Sequence, residues 1–218
     1  MMLELGLKAL LAYLLGALNG ALIVGYFAGG VDIRTLGSGN AGGTNALRTQ
    51  GKWFAIRVLL IDVLKGVVPP LLFPALVLPG VAPDPAVDRE WLAVACAAAA
   101  VIGHCYPVFF GFAGGKGAAT AVGAIAGMSA PLLLPGTLVW FGVLFTTGYV
   151  GLATMLAAAV LPLWLLVRGD ASLALLAFTA GLAIFIVYTH RANVRRLLAG
   201  TESRWEKAML LRRARRAP

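Results

Sequence analysis

Charge is scarce in this chain. Only 12% of its 218 residues are charged, where a soluble domain carries about a quarter, so most of the chain cannot face water. Cysteine is nearly absent. Cys96 and Cys105 lack CxxC spacing and sit in or beside apolar runs, which excludes a disulfide framework and leaves two small buried thiols. No GxSxG elbow occurs, no low-complexity linker and no clear internal repeat. With just two histidines, His104 and His190, and no carboxylate or thiolate spacing around them, neither a metal nor another cofactor is expected.

Apolar residues fill 60% of the sequence. They gather in runs near Leu5–Phe27, Trp53–Leu78, Trp91–Phe110, Ala118–Leu134, Gly136–Thr147, Tyr149–Val167 and Ser172–Tyr188. A bilayer-crossing helix needs roughly 20 such residues. The reading is an all-α, polytopic membrane helix bundle of about seven transmembrane segments, taken as one domain over 1–218. The pair between Ala118 and Thr147 is the weak point. Pro131 and Pro135 bracket a turn there, and either half is short for a core about 30 Å thick. The first run could imitate a signal peptide, but Glu4 and Lys8 stand where a basic n-region belongs, so it reads as a retained span.

Lysine and arginine set the orientation. Val31–Arg57 holds Arg34, Arg48, Lys52 and Arg57 and reads as cytoplasmic; Gly80–Glu90, with Asp84, Asp88, Glu90 and one Arg89, reads as outside. Alternation then places Gly111–Gly117 inside, Arg168–Asp170 outside, the N-terminus outside and the C-terminus cytoplasmic. The tail from about 190 carries Arg191, Arg195, Arg196, Arg204, Lys207, Arg212, Arg213, Arg215 and Arg216. Net charge is +9. Beside several spans, such a tail points to anionic membrane lipid rather than nucleic acid.

The pairs Gly16/Gly20, Gly25/Gly29 and Gly123/Gly127 have GxxxG spacing and predict close helix packing. Asp62 and Lys65 lie on one helical face inside an apolar run, where unpaired charge costs roughly 3 kcal/mol or more. A structural salt bridge and support for a nearby site are both open readings.

Three polar stretches could carry chemistry, and topology puts all of them on one face. In GSGNAGGTNALR, Gly37–Arg48, glycines free backbone amides, Ser38, Asn40, Thr44 and Asn45 add neutral donors, and Arg48 offers a fork for phosphate or carboxylate. GSGNAG also fits GxGxxG, but a membrane-length helix precedes it instead of a strand, so a dinucleotide site is excluded. In GHCYPVFFGFAGGKGAAT, Gly103–Thr120, residues Gly114, Gly115, Lys116 and Gly117 precede an apolar helix and form a candidate phosphate cradle. Phe110 and Gly117 break the nucleotide P-loop pattern. In HRANVRRLLAGTE, His190–Glu202, the residues His190 and Asn193 sit at the membrane edge. Neither histidine is followed five residues later by Asp; Phe109 and Arg195 occupy those places, so the His-Asp class of glycerophospholipid acyltransferases is excluded.

Together these stretches resemble the bacterial acyl-phosphate-dependent glycerol-3-phosphate acyltransferases, over nearly the whole chain and in the same order. The resemblance implies a seven-helix bundle in the bacterial cytoplasmic (inner) membrane. It implies transfer of a fatty acyl group from acyl phosphate to sn-glycerol 3-phosphate, giving lysophosphatidic acid and phosphate for phospholipid synthesis. It further implies an acyl-phosphate-producing enzyme as a partner. Lys116, His190, Asn193 and Ser38 would be catalytic, and Asn40, Thr44, Asn45, Arg48, Gly114, Gly115 and Gly117 would bind substrate. An acyl phosphate is already activated, so direct attack by the glycerol hydroxyl needs positioning and charge stabilisation rather than a nucleophilic side chain. His190 and the departing phosphate both remain candidates for the base. The chain departs from the pattern at Gly43 (usually Ala), Ala113 (usually Lys), Gly148 (usually Arg) and Gly151 (usually Ser). A transporter for phosphorylated metabolites and a non-catalytic paralogue are the rival readings.

Overall fold

A computed structural model describes residues 3–209 of the chain. Arg212, Arg213, Arg215 and Arg216 of the expected basic tail lie outside the described residues. The described chain is helical, with a single isolated β-bridge at Leu78–Val81. Its helices are α1 (Leu3–Gly16), α2 (Gly20–Phe27), α3 (Gly43–Gln50), α4 (Lys52–Leu72), α5 (Arg89–Cys105), α6 (Ala118–Ser129), α7 (Leu133–Thr147), α8 (Val150–Arg168), α9 (Leu173–Thr189) and α10 (Arg191–Leu198). Among them, four runs are long and apolar enough to cross a membrane alone, or up to six spans if each bent pair counts as one. The bent pairs are α1–α2, at 46°, and α9–α10, at 60°; the stretch Ala118–Thr147 is a single helical run of 30 residues. The chain forms two compact units, Met1–Ala130 and Pro131–Pro218.

In the first unit, helices approach through glycine at Gly16/Gly20 and Gly123/Gly127 as the spacing predicts. Gly29 of the Gly25/Gly29 pair instead lies past the end of α2 and meets no neighbour. A Cβ on Gly16 would collide with the Ala100 carbonyl of α5, and one on Gly103 with the Tyr13 carbonyl of α1. Gly66 of α4 meets Thr120 of α6, and Gly123 and Gly127 meet Val63 and Val67 in turn, so α4 and α6 run parallel. Backbones this close gain packing that no bulkier residue allows. Asn19 breaks α1 from α2 by accepting the amides of Ala21 and Leu22, an N-cap placed inside an apolar run.

One end of this unit is held by a charge network. Glu4 takes Lys8 Nζ at 2.7 Å, Arg89 Nη1 at 2.6 Å and Nη2 at 3.1 Å, and the Asp84 amide at 2.8 Å. Lys8 also donates to the Pro74 carbonyl. The start of α1 therefore shares an end with the acidic 76–88 connection, opposite the glycine-rich stretches.

In the second unit, α7 and α8 form a hairpin around Gly148, whose φ of +75° suits glycine. Trp140 Nε1 donates to Thr154 Oγ1 across it at 3.2 Å. Gly169 turns α8 into α9, so the start of α8 and the end of α9 lie together.

Candidate active site

The first glycine-rich stretch is folded by its own side chains. Ile33, Ala41 and Ala46 are fully buried against Ala21, Leu22 and Val24 of α2 and Phe54, Ala55 and Val58 of α4. Asn45 is the hub of the loop. Its Oδ1 accepts the Ser38 amide at 3.0 Å, and its Nδ2 donates to the carbonyls of Ile33 (3.1 Å), Leu36 (2.9 Å) and Asn40 (3.1 Å). A side chain so engaged shapes the loop rather than reaching for a ligand. Ser38, Thr44 and Arg48 are exposed and Asn40 half-buried, which leaves those donors at the surface of the site.

Arg34 joins this loop to the second stretch. Asp32 receives Arg34 through Nε and Nη2 (2.8 Å for the latter), while Arg34 Nη1 donates to the Phe110 and Ala113 carbonyls at 2.9 and 3.2 Å. The guanidinium holds the Asp32 carboxyl below the usual carboxylate range, mainly through that hydrogen bond. In the second stretch, the Gly114 amide donates to the Cys105 carbonyl and the Gly115 amide to the His104 carbonyl, both at 3.2 Å. Those two amides are spent on α5. The first-turn amides of α6, beside Lys116, have no intrahelical carbonyl to bond, as at any helix start. Gly115 is a point of close approach: a Cβ there would meet His104 Nε2 and the Ala41 carbonyl of the first loop. The two glycine-rich stretches thus touch, through a contact only glycine permits.

The third stretch belongs to the second unit. His190 closes α9, with Nδ1 2.8 Å from the Ile186 carbonyl. A carbonyl only accepts, so Nδ1 carries a proton in this contact. Asn193, 7% exposed, donates Nδ2 to Glu202 Oε1 at 2.6 Å, and Arg196 Nε donates to Glu202 Oε2 at 2.6 Å. Gly151 backs onto Asn193: a Cβ there would lie 2.8 Å from Asn193 Nδ2. The departure at 151 is therefore matched to how Asn193 packs. At Gly148, Arg204 supplies a guanidinium nearby, bonded to the Tyr149 hydroxyl at 2.8 Å and lying 4.8 Å from its ring centre.

The structure thus brings Ser38, Asn40, Thr44, Asn45 and Arg48 together with Gly114, Gly115, Lys116 and Gly117 in one unit. It places His190 and Asn193 together in the other. Sequence reasoning missed Arg34, His104 and Glu202 as organising residues. Glu202 had one available signal, as a lone carboxylate inside an arginine-rich stretch. Among the described residues, no three His, Cys, Asp or Glu side chains gather as a metal site would need.

Comparison with known proteins decides the family. A family profile described as glycerol-3-phosphate acyltransferase matches residues 7–200. The chain belongs to that family. The glycerol-3-phosphate acyltransferase of Geobacter sulfurreducens is 44% identical over 196 residues, covering 89% of this chain and 94% of the relative. That of Aquifex aeolicus is 38% identical over 195 residues, covering 89% and 95%. Among solved structures, the glycerol 3-phosphate form of PlsY, an integral membrane glycerol 3-phosphate acyltransferase, superposes with a TM-score of 0.80. It is 35% identical, with 92% of this chain and 95% of that chain covered. The lysophosphatidic acid form of the same enzyme gives a TM-score of 0.78.

Proposed function

We infer that this membrane protein acylates glycerol 3-phosphate, with acyl phosphate as donor. The glycerol 1-hydroxyl attacks the acyl carbonyl, the new ester bond forms, and the carbonyl–phosphate oxygen bond breaks. Lysophosphatidic acid and inorganic phosphate leave, and the hydroxyl proton ends on the phosphate or on His190. The observation that carries this reading is the seat of Gly115 between His104 and Ala41. It fixes a cationic, amide-lined loop against a second loop bearing Ser38 and Arg48. Two phosphorylated reactants need two such anion grips side by side.

Lys116 and the first turn of α6 stabilise charge on the carbonyl and the leaving phosphate. Ser38, Asn40, Thr44 and Arg48 take phosphate and glycerol oxygens, Asn45 holds their loop in shape, and the glycines of 114–117 allow close approach. His190 offers Nε2 to the hydroxyl, with Asn193 beside it. The two units work as one acyltransferase domain over 1–218.

The seven-segment reading places the N-terminus outside and the C-terminus cytoplasmic in the bacterial inner membrane. It asks for one span more than the up to six of the described helices and counts α6 and α7 separately. Gly66 lies about 14 Å past Arg57 along α4, at 1.5 Å per residue, and α6 starts beside it. From there the 12 residues of α6 climb about 18 Å, enough to finish a core about 30 Å thick. Counting α6 and α7 as separate segments asks for a turn near Pro131 and Pro135 within the 30-residue run Ala118–Thr147. The start of α6 inside the bilayer places Lys116 near the lipid, where an acyl donor resides. The enzyme that makes acyl phosphate would hand over its product at this face.

The test is purified protein with palmitoyl phosphate and glycerol 3-phosphate, following phosphate release and lipid product, with an acyl thioester as donor control. Lys116→Ala should cost about 3 kcal/mol, roughly a hundredfold in turnover. Parental turnover in that variant refutes the assignment. Product from the thioester but not the acyl phosphate refutes the donor, and phosphate uptake into vesicles without any lipid product would make the chain a transporter.

A further inference from the structure

In the first unit, three buried side-chain atoms have no hydrogen-bond partner among the described residues: Asp62 Oδ2, His104 Nδ1 and Thr120 Oγ1. Each such orphan costs about 1–3 kcal/mol. Asp62 is fully buried. Its Oδ1 accepts the Gly20 amide at 3.0 Å and pairs with Lys65 Nζ at 2.9 Å, and Lys65 also donates to the Leu18 carbonyl at 3.0 Å. That ion pair is complete without a histidine. Yet His104 Nδ1 stands 3.3 Å from the same oxygen, too poorly aligned to be a hydrogen bond. The other edge of the ring abuts Gly115, whose amide the His104 carbonyl holds. Carboxylate, ring and glycine stand in series, and Lys116 is the next residue. Thr120, the third orphan, sits in the first turn of α6.

We propose that Asp62 and His104 are positioning residues that set the height of the Gly114–Gly117 loop, their mutual hydrogen bond closing when Lys116 and α6 grip a phosphate. A carboxylate only accepts, so Nδ1 carries the ring proton and Nε2 turns its lone pair toward the loop. A loop displaced by about 1 Å loses on the order of a hundredfold in rate, so a brace that sets its height acts on the reaction without touching substrate. The proposal rests on the phosphate-loop reading above and adds the parts that support the loop.

The test compares His104→Ala, His104→Asn and His104→Gln in the purified full chain. KM for glycerol 3-phosphate and the inhibition constant of inorganic phosphate should rise together, about tenfold or more, with kcat/KM falling about a hundredfold. A purely structural role lowers the folded fraction and leaves both constants of the surviving molecules unchanged. His104→Gln, whose amide reaches the Nε2 position, should recover part of the loss; His104→Asn, which ends near Nδ1, should not. Asp62→Asn alone strands Lys65, so Asp62→Asn with Lys65→Met is the fair partner variant, and it should show the same rise while remaining folded. With two histidines in the chain, ring nitrogen NMR resolves His104 directly, and inorganic phosphate should move its Nδ1 signal in the parent but not in the double variant. Unchanged constants in folded His104→Ala, or a still Nδ1 signal, overturn the proposal. If Lys116→Ala is inactive while the His104 variants match the parent, only this inference falls. If Lys116→Ala is also active, the phosphate-loop reading falls with it.

Discussion

Asn45 is the sharpest place to separate a scaffold from a ligand. Its amide serves four backbone groups: Oδ1 accepts the Ser38 amide, and the two Nδ2 hydrogens are shared among the carbonyls of Ile33, Leu36 and Asn40. At a net value of about 1 kcal/mol each, Asn45→Ala loses roughly 2–4 kcal/mol, the lower bound allowing for water that reaches the freed loop carbonyls. Asn45→Asp is the stricter test. The carboxylate still accepts the Ser38 amide, but its second oxygen now faces three carbonyl oxygens and cannot donate to any of them. All three replaced contacts turn repulsive in a site only 2% exposed, so the aspartate should be worse than the alanine in spite of its near-identical shape. A residue that merely binds substrate would give the opposite signature, a raised KM at unchanged stability. The assay is thermal unfolding of each purified variant beside its kcat and KM. Parental unfolding in Asn45→Asp, with only KM changed, refutes the scaffold argument.

Other outcomes follow from single contacts. Gly123→Leu drives a side chain into the Val63 carbonyl and Gly66 of α4, and should cost several kcal/mol, about 3 or more, read as loss of folded protein in detergent. Glu202→Gln replaces one of the two oxygens that serve Asn193 and Arg196 with a donor facing a donor. Turnover should fall by about tenfold, a loss of roughly 1–2 kcal/mol, and equal turnover would show that Asn193 needs no fixed partner. The depressed Asp32 carboxyl gives a pH prediction. Its folded value lies below its unfolded one, so the Asp32–Arg34 contribution is complete above the ordinary carboxylate range and fades as pH falls through the depressed value. Order in the Arg34-held loops, followed by limited proteolysis, should persist to more acidic pH in the parent than the ordinary aspartate value allows, and Asp32→Asn should abolish that acid transition.

The membrane class was legible because it is written in bulk composition: a chain 60% apolar has few other options. Close packing at Gly16, Gly103, Gly66 and Gly123 was half legible. GxxxG spacing flagged Gly16 and Gly123, but Gly66 and Gly103 have no such partner on their own helices and could only be seen from the neighbour they meet. The Glu4–Lys8–Arg89 cluster was invisible for a similar reason. Its members are 85 residues apart at the extreme, and nothing local distinguishes them from surface charge.

The site divides along the same line. Motifs revealed which residues gather, since polar and charged side chains such as asparagine and lysine are costly in a membrane chain. They did not reveal which donors are already taken. Asn45, Gly114 and Gly115 read as ligands in a list of donors, yet folding spends all of them on backbone carbonyls, because a loop without regular structure must satisfy its polar groups from its own members. Under the proposed function, what serves the substrate is the set that folding does not consume: the exposed Ser38, Thr44 and Arg48, and the first turn of α6 beside Lys116. The same bookkeeping explains why α6 begins where it does. A helix starting inside the bilayer would leave its first amides unpaired in lipid at several kcal/mol each, roughly 2 or more, unless an anion answers them. Under the proposed function, a phosphate at the start of α6, beside the middle of α4, answers those amides and so completes the fold as well as the chemistry.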